Sequence, residues 1–152
     1  MRPPPDVALR AATPSDAAAV AALLTELGHQ TTAASVAERL PTVLAEGGGV
    51  ILACVEGGTP VAVMCLARLV VLHAGGSVAY ITALITTKRW QGHGIGRMLV
   101  RAAFEWAEER GCARLSVTSA EHRADAHAFY PRCGLPYTGR RFAAALTRAE
   151  HT

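Results

Sequence analysis

The residues best suited to chemistry lie in a glycine-rich segment, Arg89–Arg97, which reads Arg-Trp-Gln-Gly-His-Gly-Ile-Gly-Arg. Glycines let a backbone turn sharply, so that successive N–H groups can approach one anion. A helix that begins directly behind such a turn adds unpaired N–H donors and the positive end of its dipole. The segment therefore predicts a binding site for a phosphate or pyrophosphate group. The simpler alternative is that these glycines only make a tight turn between a strand and a helix.

Two common phosphate-binding motifs do not match this segment. A dinucleotide fingerprint, Gly-x-Gly-x-x-Gly, would need its third glycine where Arg97 or Leu99 stands, and it belongs to a first strand–helix unit. A P-loop needs Gly-Lys-Ser or Gly-Lys-Thr, whereas Lys88 precedes the loop. Neither a dinucleotide site nor a P-loop is expected.

The elements that must position this segment follow from hydrophobic periodicity. An apolar strand is predicted before it, over Val78–Thr86, and an amphipathic helix that ends at Gly111 after it. Upstream, Thr13 predicts the N-cap of a first helix, and Asp16 can reach back to it as a short capping box. Ala33–Ala45 predicts a second helix that Pro41 should kink or divide. The other predicted elements are the strands Val7–Ala11, Val50–Glu56, Val61–Leu72, Arg114–Thr118 and Tyr137–Leu146 and the helix Ala124–Arg132. The order β-α-α-β-β-β-α-β-α-β indicates an α/β fold with a mixed sheet.

Length and composition favour a single domain over residues 1–152, with 1–6 as an extended leader. Hydrophobic residues make up 51% of the chain and charged residues 18%, which excludes a disordered protein. A net charge of +3 with few aromatic residues is not typical of a nucleic-acid binder. The apolar stretch Val61–Leu72 contains Arg68 and is too short to cross a bilayer, and the N-terminus lacks the apolar region of a signal peptide. No nucleic-acid or membrane partner is expected.

The cysteines stand singly along the chain, without a Cys-x-x-Cys pair. Reduced thiols suit this spacing better than disulfides or a zinc site. We therefore expect a cytoplasmic protein without a metal. The residues concerned are Cys54, Cys65, Cys112 and Cys133.

The glycine segment retains the pattern Gln91-x-x-Gly94-x-Gly96 between a predicted strand and a predicted helix. This pattern resembles the acyl-CoA-binding signature, [Arg/Gln]-x-x-Gly-x-[Gly/Ala], of the GNAT (GCN5-related) N-acetyltransferase superfamily. The opening LRAATPSDAAAVAALL looks like the family's first strand and helix, and Ala128–Tyr130 followed by Gly134 resembles its late helix and turn. The resemblance covers nearly the whole chain. It implies a GNAT-like fold: a mixed, mostly antiparallel sheet flanked by about four helices, with splayed strands that form an acyl-CoA groove.

The resemblance also implies that acetyl-CoA is the acyl donor. Backbone groups at the end of the strand would bind the pantetheine arm, and the loop with the first helical turn would bind the pyrophosphate. The strand residues could instead be plain core, and Arg97 could be a solvated helix residue. The cofactor-binding residues implied are Leu84, Ile85, Thr86, Gln91, Gly92, His93, Gly94, Ile95, Gly96 and Arg97.

Tyr130 matches the position where many family members keep a tyrosine near the cofactor sulfur. The resemblance implies that its phenol protonates the departing thiolate as a general acid. The alternative is a buried tyrosine whose hydroxyl meets a backbone group. The chain departs from the family at Pro131, which we expect to tilt the end of the helix, and at Arg123, where an asparagine often contacts pantetheine.

Family members often take the general base from a glutamate on the strand before the loop, but Tyr80–Leu84 contains no carboxylate. Glu26 is the candidate base, because in this fold the first two helices flank the acceptor site. The alternative is that Glu26 is only a solvated charge at a helix end. Loop histidines are further alternatives, and an amine of low pKa would need no base. These histidines are His29, His73 and His122.

The chain is therefore predicted to be an acetyl-CoA-dependent N-acetyltransferase. It would move an acetyl group to a primary amine of a small molecule or peptide, by direct attack in a ternary complex. A CoA-binding sensor or interaction module that has the fold but no transfer activity is the alternative, and a longer-chain acyltransferase is another. The acidic residues are too scattered to propose a polycationic acceptor. A homodimer formed through an exposed strand edge is a further hypothesis.

Overall fold

The computed structural model describes residues 6–118, 124–139 and 141–146. The chain divides into two compact units, Met1–Val117 and Thr118–Thr152, which are described separately. Most of the predicted leader, residues 1–5, lies outside the described residues. The observed sheet and the glycine segment both belong to the first unit.

Within the described residues, five strands form one mixed sheet in the order β1-β2-β3-β4-β5. The first four strands pair antiparallel, and β5 runs parallel to β4. A parallel pair cannot be joined by a hairpin, so the connection from β4 to β5 must cross over, and it contains a helix here. The strands are β1 (Ala8–Ala11), β2 (Gly49–Val55), β3 (Thr59–Leu69), β4 (Ser77–Thr86) and β5 (Cys112–Val117).

The helices agree closely with the sequence predictions, with one difference at Pro41. The second helix is a single continuous helix and is not divided there. Proline removes the N–H that would bind the carbonyl of Ala37, but both residues are exposed, so water can satisfy that carbonyl. The helices of the described residues are α1 (Ala17–Leu27), α2 (Ala33–Ala45), α3 (Ile95–Glu109) and α4 (Ala124–Arg132).

A buried carboxylate organises the entry into α1. The N–H of Thr13 donates to Asp16 Oδ2 at 2.8 Å, which completes the predicted capping box. Arg10 on β1 adds a bidentate ion pair, with Nη1 at 2.7 Å from Oδ2 and Nη2 at 2.9 Å from Oδ1. The side-chain hydrogen bonds from Arg10 are the largest cause that holds the pKa of Asp16 well below its ordinary range. This cluster ties β1 to the first helix.

Helices α1 and α2 cover one face of the sheet, and α3 covers the other. On the first face, side chains of both helices pack with alternate residues of β2 and β3. Val50 of β2 belongs to this packed face. Gly49 precedes it, so Gly49 faces the opposite side of the sheet. A Cβ placed there would lie 3.0 Å from Trp106 Nε1, which shows how closely the indole of α3 approaches β2. The cluster on the first face includes Val20, Leu23, Leu40, Val50, Leu52 and Val63.

The predicted last strand, Tyr137–Leu146, is wrong for the residues described. Residues 137–139 and 141–146 are not in a strand. A strand requires ladder hydrogen bonds to a neighbour, and apolar alternation alone cannot supply them. The large side chains of this segment, Tyr137, Phe142 and Leu146, are exposed by 73%, 91% and 90%, so they do not form a core either.

Candidate active site

β4 extends beyond its last pairing with β5. The β4–β5 ladder ends at Ile81 and Val117, whereas pairing with β3 continues to Thr86 opposite Ala62. In the described part of the chain, residues 83–86 of β4 therefore have strand pairing on one side only, toward β3. An edge of this kind presents unpaired N–H and C=O groups, and an extended ligand can add to it as another strand would. The predicted separation of these two strands is confirmed.

A β-bulge lies where the pairing with β5 ends. Cys65 of β3 is opposite Ala83 and the next residue, Leu66, is opposite Ile81, so Thr82 has no partner in β3. A bulge bends the strand and increases its twist. The bend gives a physical reason for β4 to leave β5 at this point, and it exposes Thr82.

The glycine segment follows β4 and begins α3. Gly92 and Gly94 have φ values of +81° and +82°, and Gly94 is the N-cap of α3. No atom lies within 4 Å of a Cβ placed on Gly92, so glycine is required there by the backbone angle and not by space. The first N–H groups of α3 have no acceptor inside the helix and carry the positive end of its dipole. This geometry can bind a pyrophosphate through backbone donors.

Two side chains of this segment hold the loop itself. Gln91 Nε2 donates to the carbonyl of Thr86 at 2.9 Å, which joins the loop to the end of β4. His93 Nδ1 lies 3.2 Å and 3.1 Å from the carbonyls of Trp90 and Gln91, so this nitrogen carries the proton and donates. The side chains of Gln91 and His93 thus shape the loop, which leaves mainly backbone donors for a ligand.

The other implied cofactor residues differ in what they can offer. Ile85 packs against the cluster beneath α1 and α2, and Ile95 is exposed by only 1%, so each can contribute backbone groups alone. Arg97 is exposed on the first turn of α3. Leu84 and Thr86 are partly buried on the β4 segment that pairs only with β3.

Glu26 lies beside the end of β4. Its Oε1 accepts a hydrogen bond from Thr87 Oγ1 at 3.0 Å, and Thr87 follows the last residue of β4. His29 follows α1 by two residues and is at the same end of the sheet. His73 lies in the loop before β4, a ten-residue strand that spans about 30 Å at the usual rise per residue. His73 therefore precedes the end of β4 that lies opposite to the glycine segment. Sequence reasoning missed Thr87 altogether, because its partner is 61 residues away.

Tyr130 belongs to the second unit, on α4. Its ring meets Phe129 edge-on, with centroids 5.2 Å apart, and its carbonyl accepts N–H groups from Cys133 and Leu135, each at 3.0 Å. α4 continues through Pro131 to Arg132. The predicted roles of His122 and Arg123 lie outside the described residues.

The described residues also bear on a metal site, a membrane span and a nucleophilic thiol. In that part of the chain no group of three His, Cys, Asp or Glu side chains could hold a metal ion. None of the helices there combines the length and the apolarity that a bilayer crossing requires. Burial raises the pKa of the Cys65 thiol to about 11, so this thiol is a core group and not a nucleophile at neutral pH.

The chain belongs to the GNAT family of acetyltransferases, because the acetyltransferase (GNAT) family matches its residues 19–135. An aminoglycoside N(6')-acetyltransferase type 1 from Stenotrophomonas maltophilia is 35% identical over 137 residues, which cover 87% of this chain and 88% of that protein. Together these matches make the chain an N-acetyltransferase.

Solved structures agree with this fold. A putative acetyltransferase from Agrobacterium tumefaciens str. C58 has a TM-score of 0.81 at 28% identity, over 91% of this chain and 99% of that chain. An aminoglycoside N-acetyltransferase in complex with CoA also has a TM-score of 0.81, at 12% identity, over 93% and 95% of the two chains. At 12% identity the likeness concerns the fold alone. The predicted GNAT-like fold is confirmed.

Proposed function

We propose that this protein transfers an acetyl group from acetyl-CoA to a primary amine of a small molecule or peptide. The observation that supports this most directly is the unpaired side of Thr82–Thr86, which leads into the glycine segment. An extended pantetheine arm matches a strand edge, and a pyrophosphate matches a helix N-terminus. A phosphate ligand without an extended arm would use the helix N-terminus but not the strand edge. The proposed setting is the cytoplasm.

The chain binds the donor mainly through its backbone in this proposal. Groups on Thr82–Thr86 bind the pantetheine arm, and N–H groups of the loop and of the first turn of α3 bind the pyrophosphate. A preformed loop loses little freedom when it binds, and its donors need no reorganisation. The net charge of +3 suits this mode, because the phosphate is bound locally and not by a basic surface.

The chemical step is direct attack within a ternary complex. The amine nitrogen forms a C–N bond to the thioester carbonyl carbon, and the C–S bond then breaks to release CoA thiolate. Tyr130 donates its proton to that thiolate, and the nitrogen loses a proton to the candidate base Glu26. Positioning of the two substrates and stabilisation of the carbonyl oxygen by backbone N–H groups would supply most of the rate.

Binding of acetyl-CoA tests the proposal first. A ligand at a hundred times its Kd stabilises a folded protein by about 2.7 kcal/mol, which raises the melting temperature of a domain of this size by roughly 5–10 °C. ATP and NAD, the ligands of the two motifs that do not match, are the controls and should have little effect. Equal stabilisation by all three ligands, or by none, would contradict the proposal.

Turnover separates the enzyme from the alternative, a CoA-binding sensor or interaction module. That alternative is favoured by the lack of a carboxylate on β4, whose sequence is Ser-Val-Ala-Tyr-Ile-Thr-Ala-Leu-Ile-Thr. Release of free thiol is measured with kanamycin, spermidine, a simple alkylamine and a short peptide. Acetylation of any of them excludes a pure sensor. A comparison of acetyl-, propionyl- and succinyl-CoA tests the longer-chain alternative.

A further inference from the structure

The hydrogen bond between Thr87 and Glu26 joins the end of β4 to the end of α1, across 61 residues of sequence. We propose that Thr87 is a positioning residue: its hydroxyl holds the Glu26 carboxylate beside the reacting end of β4, where the carboxylate binds the acceptor amine in its cationic form. The inference rests on the proposed function and names a residue that orients a carboxylate of the acceptor site.

The backbone of Thr87 is held on both sides. Its N–H donates to the carbonyl of Val61 on β3 at 2.8 Å, and its carbonyl accepts the N–H of Trp90 at 2.9 Å. Because both backbone groups are engaged, the residue has little freedom to turn. The hydroxyl is the group left to reach another element, and it donates to Glu26 Oε1 at 3.0 Å.

The end of α1 is held as firmly. Gly28 adopts a φ of +118°, and its N–H donates to Thr25 while that of His29 donates to Leu24. The hydroxyl of Thr25 also exchanges hydrogen bonds with the backbone of Thr31, at 3.1 Å and 3.2 Å. Glu26 therefore projects from a fixed helix end, and the Thr87 hydroxyl restricts the one part that can still rotate.

The electrostatics of this position favour a cationic ligand. A carboxylate at the C-terminal end of a helix meets the negative end of the dipole, which is unfavourable without a cation. The ion pair found among the described residues is Arg10–Asp16, and Glu26 has no cationic partner there. Thr87 binds one carboxylate oxygen, so the other can accept hydrogen bonds from an ammonium group. The acceptor class is therefore an amine that arrives protonated.

The experiment compares Thr87→Val, Thr87→Ser and Glu26→Gln in the full-length protein, with Thr59→Val as a matched control. Thr59 is an exposed threonine at the start of β3, and its hydroxyl bonds the Glu56 carbonyl. We measure kcat and KM for acetyl-CoA and for the most active amine of the panel. Thr87→Val should lower kcat/KM for the amine about tenfold, as expected for a hydrogen bond to a charged group. Thr87→Ser and Thr59→Val should stay within about twofold of the wild type.

The double variant decides whether Thr87 acts through Glu26. If it does, Thr87→Val should have less than about a twofold effect in the Glu26→Gln background. A tenfold loss that persists in that background, or a change in the KM for acetyl-CoA alone, would overturn the inference. So would full amine kinetics in Thr87→Val.

Failure of the inference is distinct from failure of the proposed function. A wild-type protein that turns over the amine, with a Thr87→Val variant that matches it, overturns the inference alone. A wild-type protein that neither binds acetyl-CoA nor acetylates any amine of the panel overturns both. Binding of acetyl-CoA without turnover overturns the inference and favours the sensor.

Discussion

The side chains that could take part in binding or catalysis differ in how firmly their neighbours hold them. Glu26 is exposed, yet the Thr87 hydroxyl orients its carboxylate. Gln91 and His93, which the sequence suggested as ligands, direct their polar side-chain atoms to carbonyls of their own loop and of β4. At the residue scale, therefore, a residue that matches the motif need not bind the ligand through its side chain. The side chains of Gln91 and His93 maintain the shape of the loop, and its backbone N–H groups are the donors left for a ligand.

Tyr130→Phe tests the proposed general acid. Removal of the phenol proton should lower kcat about 100-fold, because the thiolate must then leave unprotonated. The KM for acetyl-CoA should change by less than about twofold, since the ring remains. Tyr137→Phe is the control, because Tyr137 is an exposed tyrosine of the same unit, at 73%. An unchanged kcat in Tyr130→Phe would remove this residue from the mechanism.

At the scale of elements, the site arises where β4 changes its partners. The bulge at Thr82 and the end of the ladder at Ile81 are adjacent. The first part of β4 pairs on both sides, whereas its last part pairs only with β3. The loop after β4 leads into α3. A single strand thus links the buried sheet to a helix N-terminus, so that both halves of a long ligand can be recognised along one stretch of backbone.

Gly92→Ala tests the loop as an element. Gly92 and Gly58 have nearly the same φ, +81° and +84°, and no atom within 4 Å of an added Cβ. Alanine at either position should cost about 1–2 kcal/mol of backbone strain. Gly58→Ala, in the β2–β3 connection, should therefore lose as much stability as Gly92→Ala and should keep the wild-type affinity for acetyl-CoA. Calorimetric titration should find affinity lowered about tenfold or more in Gly92→Ala alone. Equal affinities in the two variants would show that the loop does not bind the donor.

On the scale of the whole molecule, stability rests on an apolar sheet core with one organised ionic cluster in its described part. Asp16 is exposed by only 7% and receives hydrogen bonds from Arg10 and Thr13. These bonds favour the ionised carboxylate, so its pKa lies below that of the unfolded chain. The cluster therefore stabilises the protein at pH values above the unfolded pKa, about 4, and its contribution is lost as the pH falls further.

Asp16→Asn tests this linkage. At pH 7 the variant should lose about 1–2 kcal/mol of unfolding free energy, through loss of the charge from a capped ion pair. The difference from wild type should shrink as the pH is lowered from about 4 toward the folded pKa, because the wild-type carboxylate then becomes protonated. Denaturant unfolding at several pH values measures it, with the exposed Asp6→Asn as control. A difference that is constant with pH would contradict the role of the charge.

The sequence by itself determined the features that depend on neighbours in the chain. The capping box at Asp16 and the α4 boundaries agree with prediction because they follow from short-range hydrogen bonds and helical periodicity. The glycine segment was recognisable for the same reason, since positive φ angles demand glycine locally. Only the tertiary structure decided where β4 leaves β5 and that Thr87 reaches Glu26. These depend on pairings between distant segments, and hydrophobic patterns do not specify such partners. The predicted last strand failed on the same ground, because an apolar pattern becomes a strand only where another strand accepts its hydrogen bonds.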